Sequence, residues 1–213
     1  MAPRIKVCGI GTPAALDAAV AARAEYAGFV FFPASPRHLS LSDAAQLGAR
    51  AEARIARVGL FVDADDSTIA EAVAAARLDA LQLHGGESPS RAAALRARFG
   101  VPVWKAIAVT SASDLDRAGE YAGAADLMLF DAKPPPGAAA PGGLGLAFDW
   151  TLLAGYRGPV AWGLAGGLGP DNVAEAVRIT RAPLVDVSSG VESAPGIKDA
   201  DKIAAFANAL ADA

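Results

Sequence analysis

The stretch from Pro159 to Glu192 constrains the fold more than any other, because it carries a strand, a glycine turn and a helix start twice in succession. The first copy is the apolar run Pro159 to Ala165, the turn Gly166-Gly167-Leu168-Gly169, and a helix opening at Pro170-Asp171-Asn172. The second is Pro183 to Val187, then Ser188-Ser189-Gly190 and Val191-Glu192. Each run ends where backbone N–H groups can converge on an oxyanion, beside a helix start whose dipole favours negative charge. Glycine is also the default wherever a tight turn needs positive φ, so one Gly-Gly pair is ordinary turn chemistry. Two in tandem, at the carboxyl ends of successive strands, read as a phosphate cradle.

Paired phosphate loops late in a chain belong to the last two strands of a (β/α)8 barrel, which requires six more strand-helix units upstream. Six apolar runs answer that: Arg4 to Ile10, Gly28 to Phe32, Ile55 to Val62, Ala80 to Leu83, Val103 to Val109 and Asp126 to Phe130. Alanine-rich segments of helical period lie between them, at Pro13 to Glu25, Ser42 to Ala53, Ser67 to Arg77, Ser88 to Phe99 and Ser111 to Tyr121. Several begin with serine, or with Thr12 before Pro13, as helix N-caps prefer. Continuous apolar strands each followed by a helix predict an α/β fold with a parallel sheet buried on both faces, closed as a TIM barrel. The 213 residues allow about 27 per unit, the lean end for such a barrel, and a single domain is expected over 1–213.

One connection breaks the short-loop pattern. Residues 132–147 hold Pro134-Pro135-Pro136-Gly137 and Gly142-Gly143-Leu144-Gly145 with no periodicity. A loop of this length inside a compact domain reads as a mobile active-site lid rather than an interdomain linker.

Charge narrows the partners. With a net charge of −4 and no Lys/Arg run, the chain offers no electrostatic footprint for nucleic acid or an anionic membrane. The start, Met-Ala-Pro-Arg-Ile-Lys, lacks the apolar core of a secretory signal, and no apolar stretch is long enough to span a bilayer, so a cytoplasmic enzyme is expected. One cysteine excludes an internal disulfide. The two histidines, His38 and His84, show no metal-ligand spacing, and no metal or other cofactor is expected. Monomer and homodimer are equally compatible with these residues.

In a parallel barrel the site lies at the carboxyl ends of the strands, so polar residues there are the candidates. They are Cys8, Ser35 with Arg37, Gln82 with His84, Asp131 with Lys133, and Asp186 with Ser188 and Ser189. A lone cysteine is ordinarily a small buried hydrophobe. At the catalytic end of strand 1, Cys8 can be a general base if the site lowers its thiol pKa. Asp131 follows Met128-Leu129-Phe130, where a carboxylate is costly unless solvated or paired; it is either bridged to Lys133, a helix cap, or a general acid. Arg37 is an unremarkable surface arginine or a bidentate fork for a carboxylate. His84 is an acid, a base or a hydrogen bonder one layer back.

Taken together, Lys6-Val7-Cys8-Gly9-Ile10, Gly28-Phe29-Val30-Phe31 through Ser35-Pro36-Arg37, Leu81-Gln82-Leu83-His84-Gly85, Leu129-Phe130-Asp131, Phe148-Asp149-Trp150, Leu164 to Leu168 and Val185 to Glu192 make the chain resemble the phosphoribosylanthranilate isomerases over essentially its whole length. The resemblance implies a cofactor-free Amadori rearrangement in tryptophan biosynthesis on a small phosphorylated substrate. It further implies that Asp131 is the general acid, Cys8 the general base and Arg37 the ligand of the anthranilate carboxylate. His84, Asp186 and the loops at Gly166-Gly167 and Ser189-Gly190 would bind substrate, the loops holding its phosphate. Leu144 departs from the family's usual threonine or serine, removing a hydrogen bond worth about 0.5–1.5 kcal/mol.

Three other readings compete. A metal-dependent epimerase needs a histidine and carboxylate set, for which the chain offers only His38 and His84. An indole-glycerol-phosphate synthase needs catalytic strand lysines and glutamates, whereas Lys6 and Lys105 are the main strand lysines. A catalytically silent phosphoribosyl-binding barrel predicts ligand affinity without turnover.

Overall fold

The computed structural model describes residues 2–133, 142–143 and 145–211. Among these, eight parallel strands close into a barrel: β1 Arg4–Cys8, β2 Tyr26–Val30, β3 Ala56–Phe61, β4 Ala80–Leu83, β5 Val103–Val109, β6 Leu127–Ala132, β7 Ala161–Leu164 and β8 Leu184–Val187. All eight overlap the apolar runs read from the sequence, β2 lying two residues earlier than expected at each end. Around them stand α1 Pro13–Ala21, α2 Leu41–Ala51, α3 Asp66–Ala76, α4 Pro89–Phe99, α5 Ala112–Asp116, α6 Val173–Thr180 and α7 Ala200–Ala211.

Strand alternation sorts the side chains into two sets. One packs outward against the helices, with Val7, Phe29, Phe61, Leu81, Phe130 and Val185 in a single large core. The other fills the barrel, where Val58, Trp104, Leu127, Leu129 and Leu184 plug the amino-terminal end with the half-buried Tyr26 against them. Cys8, Val30 and Leu60 form a smaller apolar patch further up. Register carries this through: Lys6 pairs with Asp186 across the β1–β8 seam, and Cys8 with Gly28 across β1–β2. Polar residues two positions beyond apolar plug residues are thereby stacked at the carboxyl end.

Local differences from the sequence reading have simple causes. The helix cap before α2 is Ser40 rather than Ser42, and before α3 it is Asp65 rather than Ser67; each accepts from the backbone N–H three residues on. Thr12 and Ser88 cap α1 and α4 as expected. The segment Ser111 to Tyr121 is a short α-helix continued by a 3-10 turn at Arg117–Tyr121. The helix expected to open at Pro170 begins at Val173. The second glycine joint leads into a 3-10 turn, Ser189–Val191, and a small hairpin of β9 Glu192–Ala194 and β10 Ile197–Lys198, before α7. β6 runs two residues further than expected, so Asp131 lies within the strand, opposite Ala108, rather than beyond it. No helix among the described residues is long and apolar enough to cross a membrane.

Candidate active site

One cavity opens at the carboxyl ends of the strands, and Cys8, Arg37, His84, Asp131, Asp186 and Ser189 all line it, together with Gly166 and Gly167. Gly190 stands just behind it. A Cβ on Gly190 would lie 2.0 Å from the Leu168 carbonyl oxygen and 2.9 Å from Gly169 Cα, so the two glycine joints touch each other. Gly166 and Gly167 both have positive φ, 85° and 63°. Gly166 also makes room for the site: a Cβ there would sit 2.8 Å from Asp131 Oδ1. The Gly169 N–H donates to Asn172 Oδ1 at 2.9 Å, and the Asn172 carboxamide returns a bond to the Gly167 carbonyl. That amide is spent within the turn.

Asp131 is buried and paired. His84 Nε2 lies 3.2 Å from Asp131 Oδ2, and the Ala132 N–H donates to Oδ1 at 2.7 Å. Lys133 is not among them. His84 is held from the other side by Gln82, with Nε2 of the amide 3.2 Å from Nδ1 of the ring; Gln82 Oε1 is buried with no partner among the described residues.

The described part of the long loop folds over these groups. Gly142 packs so close that a Cβ would meet His84 Nε2 at 2.9 Å and Asp131 Oδ2 at 3.0 Å. The Gly143 carbonyl accepts from Arg37 Nη2 at 3.1 Å, and Ala147 and Leu146 press on Gly167. Leu144 and Pro134 to Pro141 lie outside the described residues.

Cys8 sits opposite, at the end of β1. The sequence reading asked for a lowered thiol; burial instead pushes the Cys8 thiol up, and the neighbouring Lys6 ammonium pulls it part of the way back. Lys6 is fully buried, and its Nζ meets both oxygens of Asp186, at 3.0 and 2.9 Å. Burial draws the Lys6 ammonium down, but Asp186 and Cys8 together outweigh it and the net shift is upward; burial raises Asp186. Among the described residues no group of three or more His, Cys, Asp or Glu has the arrangement to hold a metal ion.

The family model for N-(5'-phosphoribosyl)anthranilate (PRA) isomerase matches residues 5–209. The chain belongs to the N-(5'-phosphoribosyl)anthranilate isomerase family. It is 55% identical over 206 residues to the isomerase of Paracoccus denitrificans (strain Pd 1222), covering 97% of this chain and 96% of that one. The crystal structure of phosphoribosyl anthranilate isomerase from Thermotoga maritima superposes with a TM-score of 0.88 at 35% identity, covering 99% of this chain and 100% of that one. A further isomerase structure, in complex with reduced 1-(o-carboxyphenylamino)-1-deoxyribulose 5-phosphate, gives 0.86 at 33% identity, again covering 99% and 100%.

Membership in the isomerase family makes the residues that sequence reasoning passed over worth naming. Glu192 stands in the sequence only as the last residue of a motif, yet it binds Arg37 at Nε (2.7 Å) and Nη2 (2.8 Å) and Lys198 at 2.6 Å. A fork expected to be open for a ligand is thus half occupied by the isomerase's own carboxylate. Lys198 also reaches the Ser188 carbonyl, and the Ser188 hydroxyl donates to the Cys8 carbonyl at 3.1 Å, tying the second phosphate loop to β1. Both lysines on the barrel strands are consumed: Lys6 by Asp186, Lys105 by Glu87 at 2.9 Å. The only early signal for Glu192 was its place directly after Val191 in a glycine joint.

Proposed function

We propose that this isomerase-family enzyme converts N-(5-phosphoribosyl)anthranilate to 1-(2-carboxyphenylamino)-1-deoxyribulose 5-phosphate, with Asp131 as general acid and Cys8 as general base. The observation that carries the assignment is the convergence of Cys8 from β1, Asp131 from β6 and both glycine joints on one cavity. Asp131 gives a proton to the furanose ring oxygen; the C1′–O bond breaks and the anthranilate nitrogen lone pair completes a Schiff base. Cys8, as thiolate, takes the C2′ proton, leaving a neutral enolamine. Tautomerisation, with protonation at C1′ and loss of the C2′ hydroxyl proton, gives the ketone, and the two side chains return to their starting protonation.

Arg37 binds the anthranilate carboxylate through the edge that Glu192 leaves free, near Gly143. Gly166, Gly167, Ser189 and Gly190 hold the phosphate. His84 orients Asp131 and borders the substrate, and Asp186 shapes the floor beneath it. Gly142 and Gly143, the described part of the long loop nearest the site, cover His84, Asp131 and Arg37 over one barrel domain, in a cytoplasmic enzyme that needs no cofactor.

Freshly generated phosphoribosylanthranilate tests this directly, since its anthranilate-type fluorescence is lost on isomerisation. Wild type should turn it over, and Asp131→Asn should lose about 10²–10⁴-fold in kcat with KM little changed. Wild-type loss of signal no faster than spontaneous decay would sink the assignment.

A further inference from the structure

We propose that Lys6 is a positioning residue for the base: its ammonium is the counter-ion that holds Cys8 as thiolate during turnover, and Asp186 pins that ammonium in place. The inference rests on the reading of Cys8 as the base. Lys6 and Cys8 are two apart on β1, so both face the barrel interior. Gly28, the register partner of Cys8, lacks the side chain that would separate them: a Cβ at that one point would lie 2.9 Å from Cys8 Sγ and 3.1 Å from Lys6 Nζ. The thiol and the ammonium therefore border the same small notch.

Lys6 is fully buried and Asp186 8% exposed, so the pair lies between the apolar plug and the cavity floor. Retaining an ion pair there has a desolvation cost that a well-packed apolar pair of similar volume would avoid. A transient negative charge immediately above it supplies a reason. The charged and titratable groups facing Cys8 are Lys6, Asp186 on β8, Lys198 on β10, and across the cavity Asp131, His84 and Arg37. Lys198 and Arg37 already share Glu192. Lys6 is the cation whose position is fixed by the same strand that carries the thiol. Burial alone favours the neutral thiol, and the Lys6 ammonium is the largest influence opposing it.

The test titrates the Cys8 thiolate by its ultraviolet absorbance and by the pH dependence of iodoacetamide alkylation, in wild type, Lys6→Met and the double variant Lys6→Met/Asp186→Asn. The double variant removes both charges, so it remains informative if the single variant does not fold. The thiol titration should move upward by about one pH unit in Lys6→Met, a tenfold loss of thiolate, with a smaller shift of the same sign in the double variant. In Lys6→Met, kcat should fall about tenfold with KM unchanged, and Lys6→Arg should restore part of it. A kcat loss with an unmoved thiol titration would mean a packing role and overturn the inference. Cys8→Ala separates the two levels: full turnover in that variant removes the base assignment and this proposal with it, whereas a dead Cys8→Ala beside unmoved thiol titrations removes this proposal alone.

Discussion

The guanidinium of Arg37 meets the carboxylate of Glu192 on two nitrogens, Nε at 2.7 Å and Nη2 at 2.8 Å, across 155 residues of sequence. Both side chains are largely buried, 8% and 4% exposed. The arginine proposed to receive a substrate carboxylate is thus aimed by a carboxylate of the protein.

Arg37→Ala should raise KM about 10- to 100-fold, the equivalent of one charge-assisted hydrogen bond of about 1.5–3 kcal/mol, with kcat less affected. Arg37→Lys should not rescue it, because a single ammonium cannot span both Glu192 oxygens. Steady-state kinetics on the two variants decides this. The stability cost of Arg37→Ala should stay below the roughly 3–5 kcal/mol of a broken buried pair, since Lys198 continues to neutralise Glu192.

Glu192 gives a pH prediction. Burial pushes its carboxyl up, but the hydrogen bonds from Arg37 and Lys198 outweigh this and hold it below its ordinary value of 4.5. A depressed carboxylate contributes stability that is present in full above its unfolded pKa and is lost as pH falls through the folded one. The difference in unfolding free energy between wild type and Glu192→Gln should therefore be greatest near neutrality and shrink as pH drops below 4.5. Chemical denaturation across that range measures it, and a difference constant with pH would contradict the pairing.

Gly28→Ala puts a methyl group 2.9 Å from both Cys8 Cα and Sγ. The backbone atom cannot swing away, so the variant should lose about 1–3 kcal/mol of stability as an overpacked core site does. Displacement of the thiol should lower kcat more than it changes KM. Thermal denaturation beside single-turnover kinetics separates the two effects.

At Gly190 the added carbon would fall 2.0 Å from the Leu168 carbonyl oxygen. Gly190→Ala must push the two glycine joints apart, so KM for the phosphorylated substrate should rise, and inorganic phosphate should lose potency as a competitive inhibitor. Unchanged inhibition by phosphate would show that the joints do not hold it.

Much of the barrel was legible because a buried parallel strand reads as a mainly apolar run, and all eight stood out this way even where Lys6, Arg57, Gln82, Lys105, Asp131 or Asp186 interrupts the run. Caps were read less well: Ser40 and Ser42, or Asp65 and Ser67, offer equally suitable oxygens two residues apart, and only backbone direction chooses between them. The hairpin of β9 and β10 escaped because strands of three and two residues carry no periodicity. In the site, residue types at strand ends pointed to Cys8, His84 and Asp131. Their partners did not follow, since Lys6 and Asp186, or Arg37 and Glu192, are joined only by barrel closure and by a turn late in the chain. The rise rather than fall of the Cys8 thiol was likewise out of reach, because burial is a property of the closed barrel.

The Lys6–Asp186 contact lies on the seam where the first strand meets the last. During synthesis Cys8 emerges some 180 residues before the strand that neutralises its neighbouring lysine and the loop whose Ser188 binds its carbonyl. Until then Lys6 has no buried counter-charge and β1 has only one neighbour. A nascent chain therefore holds the sulfur proposed as its base outside any working arrangement until the ring closes.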